Sequence, residues 1–371
     1  MTMQLVQASR DALLKPLSTV VGIVERRHTL PILANILLRK EGSRVSFIAS
    51  DMEVQITTHA DFGVGDEHVA TTVAARKLLD ILRALPDVGD VVLSLVDGKL
   101  IVQSGRSRFA LQTMDANEFP TLAQPEQWDV SLALPQKTLK HLFNTAHFAM
   151  AQQDIRYYLN GMLFVFEPGW VRTVATDSHR LVHNGTEIEG LESRQDVIVP
   201  RKTVLEMQRL LGEIDDAVQI QVAGGQIRFS FDQVELISKL VEGKFPDFTR
   251  VIPSTYTRHF TVNREALQGS LQRAAILTTD KLRGVRVNLA NHQLRISASN
   301  AEQEEANEEI EIDYEFEPLD VGFNVSYLLD VLANVKTEQV RWSVQPDSNA
   351  SVLITLPDED AFKYVVMPMR I

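Results

Sequence analysis

Apolar residues recur every three or four positions in three well-separated segments of the chain, and this spacing predicts amphipathic helices. A second helix is predicted further along each stretch, at Arg76–Leu85, Arg201–Leu211 and Val325–Val335. The apolar positions of the first three helices are Leu13, Leu17, Val20, Val21 and Val24, then Leu139, Leu142, Phe143 and Ala146, then Leu267, Leu271, Ala274 and Ala275.

Short runs of alternating apolar and polar residues lie between these helices and end at Gly, Asn or Asp, which predicts strands and tight turns. Asp97-Gly98 joins one pair of runs and Gly224-Gly225 joins another, so both pairs are expected to form hairpins. This order of elements predicts an α+β fold in which two helices pack on antiparallel sheet in each stretch.

The same marks recur along the chain at a fixed shift. Phe119-Pro120 recurs as Phe245-Pro246, a shift of 245 − 119 = 126 residues, and Asp51 recurs as Asp177 with the same shift. A third copy is fainter, and Ser299-Asn300 is its clearest mark. The pattern predicts three tandem repeats, with domains at 1–127, 128–256 and 257–371.

Composition narrows the function classes. The chain has 371 residues, a net charge of −12 and no cysteine, which excludes disulfides, thiol nucleophiles and Cys-ligated metals. The longest nearly unbroken apolar run, Leu30–Leu38, is too short for a membrane helix, and no signal-type segment opens the chain. We therefore expect a cytoplasmic protein with no membrane partner.

Charge is unevenly distributed. Residues 302–317 hold nine Asp or Glu and no Lys or Arg, which fits either a solvated edge or a contact face for a basic surface. Cations lie at predicted helix starts, where they oppose the helix dipole, so they serve either solubility or phosphate binding. They are Arg76, Lys77, Lys137, Lys140, Arg201 and Lys202.

Catalytic motifs are weak. The chain has no phosphate-binding Gly-rich loop ending in Gly-Lys-Ser/Thr and no Gly-x-Ser-x-Gly elbow. Asp177 and His179 suggest a hydrolytic cluster, but Asp177 recurs at Asp51 without a histidine, which favours a structural turn. We expect no catalytic residue, no metal and no cofactor.

Several longer segments resemble the bacterial DNA polymerase III beta subunit family, the sliding clamps. The segments span all three repeats: Thr29–Leu33, Ser104–Phe109, Asp154–Leu163, Ala175–Leu181, Phe245–Phe248, Gly322–Tyr327 and Tyr364–Arg370. The resemblance implies three domains of the DNA-clamp fold and a head-to-tail homodimer that closes a ring around double-stranded DNA. It also implies a non-catalytic processivity factor of DNA replication.

By position, the resemblance implies three sets of site residues. The DNA-contacting set is Arg27, Arg76, Gln153, Tyr157 and Tyr158. The dimer edge is Phe109 facing Ile276 and Leu277, with Arg106 and Arg108 near the acids of 302–309. The partner-peptide pocket is Leu159, Thr176, Ser178, His179, Arg180, Leu181, Pro246, Arg250, Val251, Asn324, Tyr327, Val365, Met367, Pro368, Met369 and Arg370.

The implied partners of that pocket are the DNA polymerase III alpha subunit, the clamp loader, and other polymerases and repair proteins. Each would dock through a short linear motif that bears Leu or Phe, and Arg180 and Arg250 would anchor it at the rim. Two departures from the family pattern affect the pocket: Ser178 stands where Gly is common, and Asn349 interrupts an otherwise apolar stretch.

Two alternatives remain from the residues alone. One is a repeat scaffold that holds peptides and never encircles DNA, which retention on circular against linear DNA would separate from a clamp. The other is a hydrolase that uses the Asp177 and His179 region, which a turnover assay with His179→Ala would test.

Overall fold

The computed structural model describes residues 2–25, 30–252, 255–278 and 283–371. They form two compact units, one of Met1–Lys137 with Arg209–Leu240 and the other of Thr138–Gln208 with Val241–Ile371. The middle repeat contributes to both units, and the three predicted domain boundaries stay a prediction.

All six predicted helices are confirmed. They are α1 Arg10–Val21, α2 Ala75–Ala84, α3 Gln136–Ala146, α4 Arg201–Leu210, α5 Arg264–Ala275 and α6 Val325–Asn334. Side-chain caps fix three starts, because Ser9, Asn263 and Asn324 each accept a hydrogen bond from a backbone N–H in the first turn. None of the helices in the described residues is long and apolar enough to cross a membrane.

A single antiparallel sheet of twelve strands fills the first unit, as far as the structure describes it. In spatial order its strands are β1 Thr2–Ser9, β6 Asp90–Val96, β7 Lys99–Ser104, β8 Ser107–Met114, β5 His68–Ala74, β2 Asn35–Glu41, β3 Arg44–Ser50, β4 Val54–Asp61, β16 Val234–Lys239, β15 Gln226–Phe231, β14 Ala217–Ala223 and β9 Val130–Pro135. Helices α1 and α2 pack together in this unit, and α1 lies against β3 and β4.

Two antiparallel sheets form the described part of the second unit. The larger has eight strands in the order β13 Gln195–Pro200, β10 Gly161–Glu167, β11 Trp170–Thr176, β12 Arg180–Glu187, β24 Glu359–Val366, β23 Val352–Leu356, β22 Gln339–Val344 and β17 Arg258–Asn263. The smaller has four, β20 Glu305–Glu311, β19 Gln293–Ser299, β18 Gly284–Ala290 and β21 Leu319–Asn324. Helices α5 and α6 pack together here, and α5 also lies against β19 and β20.

Both predicted hairpins are present. Val96 pairs with Lys99 across Asp97-Gly98, and Ala223 pairs with Gln226 across Gly224-Gly225. The turn residues have positive φ, 48° and 74° in the first turn and 56° and 76° in the second. Two consecutive positive φ values match the twist of the flanking strands, which explains why glycine stands in both turns.

Candidate functional site

A tight turn at Asp177 opens strand β12 and begins the predicted pocket. The Asp177 Oδ1 atom accepts the N–H of His179 at 3.0 Å and that of Arg180 at 3.1 Å. Thr176 Oγ1 accepts the N–H of Ser178 at 3.1 Å and donates to the carbonyl of Arg180 at 2.6 Å. The structural interpretation of Asp177 is therefore confirmed, since its carboxylate holds the turn.

The chain end closes the other side of this turn. Strand β24 lies between β12 and β23, with Leu181 opposite Val365 and Leu353 on the far side of Val365. Beyond the strand, the N–H of Met367 donates to the carbonyl of His179 at 2.9 Å, and the N–H of Met369 donates to that of Gly322 at 2.8 Å. These two bonds hold the tail against the turn.

Arg180 is a buried support of the pocket, which corrects the expectation that it anchors a ligand at the rim. Its guanidinium donates to Asp177 at 3.1 Å, to Asp330 at 2.5 Å and to the carbonyl of Phe148 at 2.6 Å. It also lies over the ring of Tyr327, 4.5 Å from the centroid. These contacts engage all three guanidinium nitrogens, so Arg180 positions the wall.

Two rings form the exposed rim beside this support. The imidazole of His179 stacks on Tyr327 with centroids 6.2 Å apart and planes at 20°. The buried hydroxyl of Tyr364 donates to the carbonyl of Tyr327 at 2.8 Å, which fixes the start of α6. Burial raises the pKa of Tyr364, and burial also raises that of Tyr327, so both phenols stay protonated at neutral pH.

The floor of the pocket is apolar. Leu159, Leu181 and Val365 belong to one buried cluster, and Val251 packs against it. Sequence reasoning missed Leu353 and Phe248, which belong to the same cluster. The nearly continuous apolar run Val352–Leu356 was the available signal for Leu353. Phe248 ends the family segment Phe245–Phe248, which was the available signal for it, and it begins the short helix Phe248–Arg250.

The remaining predicted pocket residues lie at the exposed margin. Pro246 and Arg250 are exposed, and Arg250 pairs with Asp247 at 2.9 Å, so a rim position suits Arg250. Pro368, Met369 and Arg370 continue the tail that starts at Met367, which is 43% exposed. The structure thus brings together a turn, a tail and a helix start from distant parts of the sequence.

The two departures have structural explanations. Ser178 has φ of 77°, a left-handed conformation that glycine adopts without strain, so the serine carries a backbone cost. Asn349 lies in a turn, where its N–H and Nδ2 both donate to Asp347 Oδ1 at 2.9 and 3.1 Å. The stretch before Val352 is therefore a polar turn and not an apolar wall.

A closed loop presents the predicted DNA residues of the second unit. The Asn160 side chain accepts the N–H of Asp154 at 3.0 Å and donates to its carbonyl at 2.9 Å. Arg156 pairs with both oxygens of Asp154 and holds the pKa of that carboxyl at about 2. Tyr157 is 59% exposed, and Tyr158 is half-buried against the apolar cluster.

Gln153 lies on the same loop, exposed and with φ of 56°. In the first unit, Arg76 is exposed at the start of α2, where it donates to the carbonyl of Val24 at 2.7 Å. It lines a cleft of about 500 Å³ together with Lys77 and Arg83. Arg27 lies outside the described residues.

The other cations at helix starts are partly occupied by internal contacts. Lys137 pairs with Asp215 at 2.6 Å, and Arg201 donates to the carbonyls of His147 and Met150 at 3.3 and 3.4 Å. Burial lowers the pKa of Arg201, which marks it as a structural group. The phosphate-binding interpretation of the helix starts is therefore weaker for these two residues than for Arg76.

Several strands have an open edge among the described residues, and two of these edges belong to the segments predicted for the dimer interface. Strand β8 pairs with β7 along Ser107–Gln112 but reaches β5 only at Thr113 and Met114, so that stretch has a free edge among the described residues. Strand β20 pairs with β19 alone within the part of the chain that the structure describes. Phe109 on β8 is 38% exposed, and Ile276 after α5 is 76% exposed.

Comparison with known proteins decides the family. Three models describe the N-terminal, central and C-terminal domains of the DNA polymerase III beta subunit, and they match residues 3–123, 133–247 and 249–370 in that order. The chain belongs to the DNA polymerase III beta subunit family. The predicted fold class, three copies of the clamp domain, is confirmed.

Relatives in this family agree over nearly the whole length. The protein named Beta sliding clamp from Pseudomonas aeruginosa is 46% identical over 98% of each chain, and that from Proteus mirabilis is 44% identical over 98% of each. A crystal structure of the Pseudomonas aeruginosa sliding clamp bound to griselimycin matches with a TM-score of 0.95 at 44% identity, covering 100% of both chains.

Membership settles the enzyme question. A DNA polymerase III beta subunit is a non-catalytic processivity subunit, so the hydrolase alternative is wrong. The geometry agrees, because the Asp177 carboxylate is bonded to backbone N–H groups and to Arg180, while His179 stacks on Tyr327.

Proposed function

We propose that the protein closes a ring around duplex DNA as a head-to-tail homodimer and tethers its clients through the pocket at the Asp177 turn. A processivity factor of this kind needs topology more than affinity, because an encircling ring stays on DNA while weak phosphate contacts let it slide. In this proposal the ring consists of two copies of the three domains 1–127, 128–256 and 257–371.

The observation that carries the ring is that two of the open strand edges, those of β8 and β20, have opposite charge. The open edge of β8 carries Arg108 and is preceded by Arg106, and the open edge of β20 belongs to the acidic segment 302–317. An open edge is a template for pairing with another chain. Two different, complementary edges on one chain produce a heterologous contact, which closes into a ring when the rotation permits.

Apolar anchors support the same interface. Phe109 would pack against Ile276 and the half-buried Leu277 of the second copy, since exposed large apolar side chains such as Phe109 and Ile276 mark interaction surfaces. Glu308 already pairs with Arg273, and Glu309 with Arg295, so the partner's cations would join existing ion pairs.

The DNA contacts in this proposal are few and carry no base readout. Arg76 and Gln153 offer hydrogen-bond donors, Tyr157 and Tyr158 offer rings and hydroxyls, and Arg27 adds a second cation. Donors of this kind position a duplex through its phosphates. The site of action implies the cytoplasm.

The pocket would take short peptides bearing Leu or Phe, from the polymerase alpha subunit, the clamp loader and repair proteins. Support comes from the apolar floor of Leu159, Leu181 and Val365 and from Met367, whose flexible side chain adapts to different clients. The griselimycin complex of the Pseudomonas aeruginosa clamp supports a ligand site in this family.

Retention on DNA tests the ring. The protein loaded onto nicked circular DNA should remain bound through gel filtration, and linearisation should release it. The variant Ile276→Ala with Leu277→Ala should sediment towards monomer and lose retention, since each buried anchor contributes about 2 kcal/mol or more. Leu205→Ala with Ile214→Ala, two exposed apolar residues elsewhere, is the matched control. Equal retention on circular and linear DNA would favour the peptide-scaffold alternative.

A further inference from the structure

A second cleft lies beside the pocket, on the same face of the eight-stranded sheet. Its volume is about 760 Å³, and Leu353 and Phe248 of the pocket cluster also line it. The cleft and the pocket cluster therefore share two apolar side chains and lie next to each other.

The strand register places the pocket and the cleft in adjacent rows. Leu181, Val365 and Leu353 lie opposite one another across three strands and form the apolar row. A polar row lies on the same face, two residues further along each of these strands, because side chains alternate with a period of two. It extends onto the neighbouring strand β22. The polar row consists of His183, Lys363, Thr355 and Arg341.

The cleft is positively charged in a chain whose net charge is −12. Arg172, Lys363 and Arg341 line it, and no acidic side chain is among the described residues that do so. Arg172 is partly neutralised by Glu167 at 2.6 Å. Lys363 and Arg341 form no ion pair with any described residue, and Arg341 is exposed.

We propose that this basic row binds acidic residues that flank the apolar anchor of a client peptide, which rests on the proposed function of the pocket. A step of two residues along an extended strand is about 7 Å, so the rows are separated by two peptide residues. When the Leu or Phe of an extended peptide covers Leu181 and Val365, an Asp or Glu two residues away in the peptide lies within reach of Lys363 and Arg341. Attraction there selects acidic flanks among clients that share the same anchor.

A peptide fits this surface better than a nucleic acid strand does. Phe248, Leu353 and Tyr256 add apolar side chains to the lining beside the polar row, so the cleft suits a peptide in which apolar and acidic side chains alternate. Two unpaired cations on one short row match one or two carboxylates, whereas a bound strand needs phosphate contacts along its whole path.

Fluorescence polarisation with two labelled peptides tests the inference on the full-length dimer. One peptide carries a Leu-Phe anchor with Asp residues on both sides, and the other has Asn at the same positions. At low salt the Asp peptide should bind wild-type protein about 3- to 10-fold more tightly, and high salt should remove the difference. Lys363→Gln with Arg341→Gln should abolish the preference and leave the affinity for the Asn peptide unchanged.

The control removes the same charge elsewhere. Arg286→Gln with Lys336→Gln, both exposed and outside the cleft, should keep the preference. Equal affinity of wild-type protein for both peptides, or equal loss of the preference in both double variants, overturns the inference alone. If neither peptide binds wild-type protein, the proposed pocket fails and the inference fails with it. Binding of a single-stranded DNA oligonucleotide that only Lys363→Gln with Arg341→Gln removes would assign the cleft to nucleic acid and overturn it.

Discussion

The described residues contain the same backbone junction at two places, and one of these two copies has the side chains of a pocket. In the second unit Asp177 Oδ1 accepts two backbone N–H groups, and in the first Asp51 Oδ1 accepts those of Glu53 and Val54 at 2.9 and 2.6 Å. The residue after each aspartate has a left-handed conformation, with φ of 74° at Met52 and 77° at Ser178.

The strand that closes each junction is also held in the same way. The N–H of Lys239 donates to the carbonyl of Glu53 at 2.8 Å, as that of Met367 donates to His179 at 2.9 Å. The side chains differ at these positions. Glu53 and Lys239 form an ion pair at 3.0 Å, whereas His179 and Met367 leave a ring and a thioether exposed. The backbone hydrogen bonds are therefore common to both junctions, and a few side chains determine that the second junction has the features of a peptide-binding pocket.

Exchanging those side chains should have the largest effect. His179→Glu with Met367→Lys places the ion pair of the first junction on the frame of the second, where the backbone bond is retained. Client-peptide binding should fall by at least about 100-fold, close to 2.7 kcal/mol, because the apolar rim is lost. Polarisation measures the affinity, and sedimentation should still show a dimer.

The reciprocal exchange is the control for that variant. Glu53→His with Lys239→Met gives the first junction the side chains of the pocket, but Val54 still stands where the second has Arg180. It should leave peptide binding unchanged. Gain of a second peptide site in this variant would contradict the view that Arg180 and its partners support the rim.

Replacing Arg180, the buried support of the pocket, tests a second difference between the junctions, since the first junction has Val54 at this position. Arg180→Met leaves Asp330 and the Phe148 carbonyl without their donor and Tyr327 without its cation. The free energy of unfolding should fall by about 3 kcal/mol, the lower end of the range for broken buried ion pairs because Asp330 is partly exposed, and peptide affinity should fall with it. Urea unfolding measures the first effect.

Arg194→Met is the matched control for Arg180→Met. Arg194 also makes two hydrogen bonds to a carboxylate, that of Asp196, but its side chain is 52% exposed. Water replaces such a pair at little cost, so the change should stay below about 1 kcal/mol. Equal losses in the two variants would mean that Arg180 contributes only a surface ion pair.

The sequence alone predicted the repeated aspartate turns and the helices, but it did not predict which strand pairs beside each turn. The shift of 126 residues linked Asp51 to Asp177, and the apolar spacing located all six helices, because both signals are local. Insertion of β24 beside β12 joins residues more than 170 positions apart, and no local pattern specifies such a pairing.

The role of Arg180 shows the same limit at one residue. Its sequence position suggested a rim anchor, whereas its partner Asp330 is 150 residues away and the Phe148 carbonyl is 32 residues away. Burial and partners of this kind follow from the tertiary fold alone. The DNA-contacting residues and the dimer edge rest on the resemblance and stay predictions.

A histidine in the second junction, which the first junction lacks, should make the free energy of unfolding fall at acid pH. His183 occupies the position of Thr57, and burial lowers its pKa below the ordinary 6.5. Below about pH 6.5 the unfolded chain binds a proton there that the native protein does not, so stability falls as the pH falls. His183→Thr should reduce the slope of unfolding free energy between about pH 6.5 and pH 5 by at most about 1.4 kcal/mol per pH unit.

Urea unfolding at several pH values gives that slope. Partial burial also lowers the pKa of His147, so part of the slope should persist in His183→Thr. A slope that His183→Thr does not change would show that His183 is protonated in the native protein as readily as in the unfolded chain.

The smallest effect concerns the left-handed residue that both junctions share. Ser178→Gly and Met52→Gly each relieve a positive φ, and since glycine also loses more chain entropy on folding, the net gain should be about 0.5 kcal/mol in each case. The midpoint of urea unfolding should rise at constant m-value in both variants. Only Ser178→Gly should alter peptide affinity, by about threefold or less, because it removes a hydroxymethyl group from the pocket wall while Met52 lies in the other unit. A loss of stability confined to Ser178→Gly would mean that the serine side chain contributes more to the pocket frame than its backbone conformation costs.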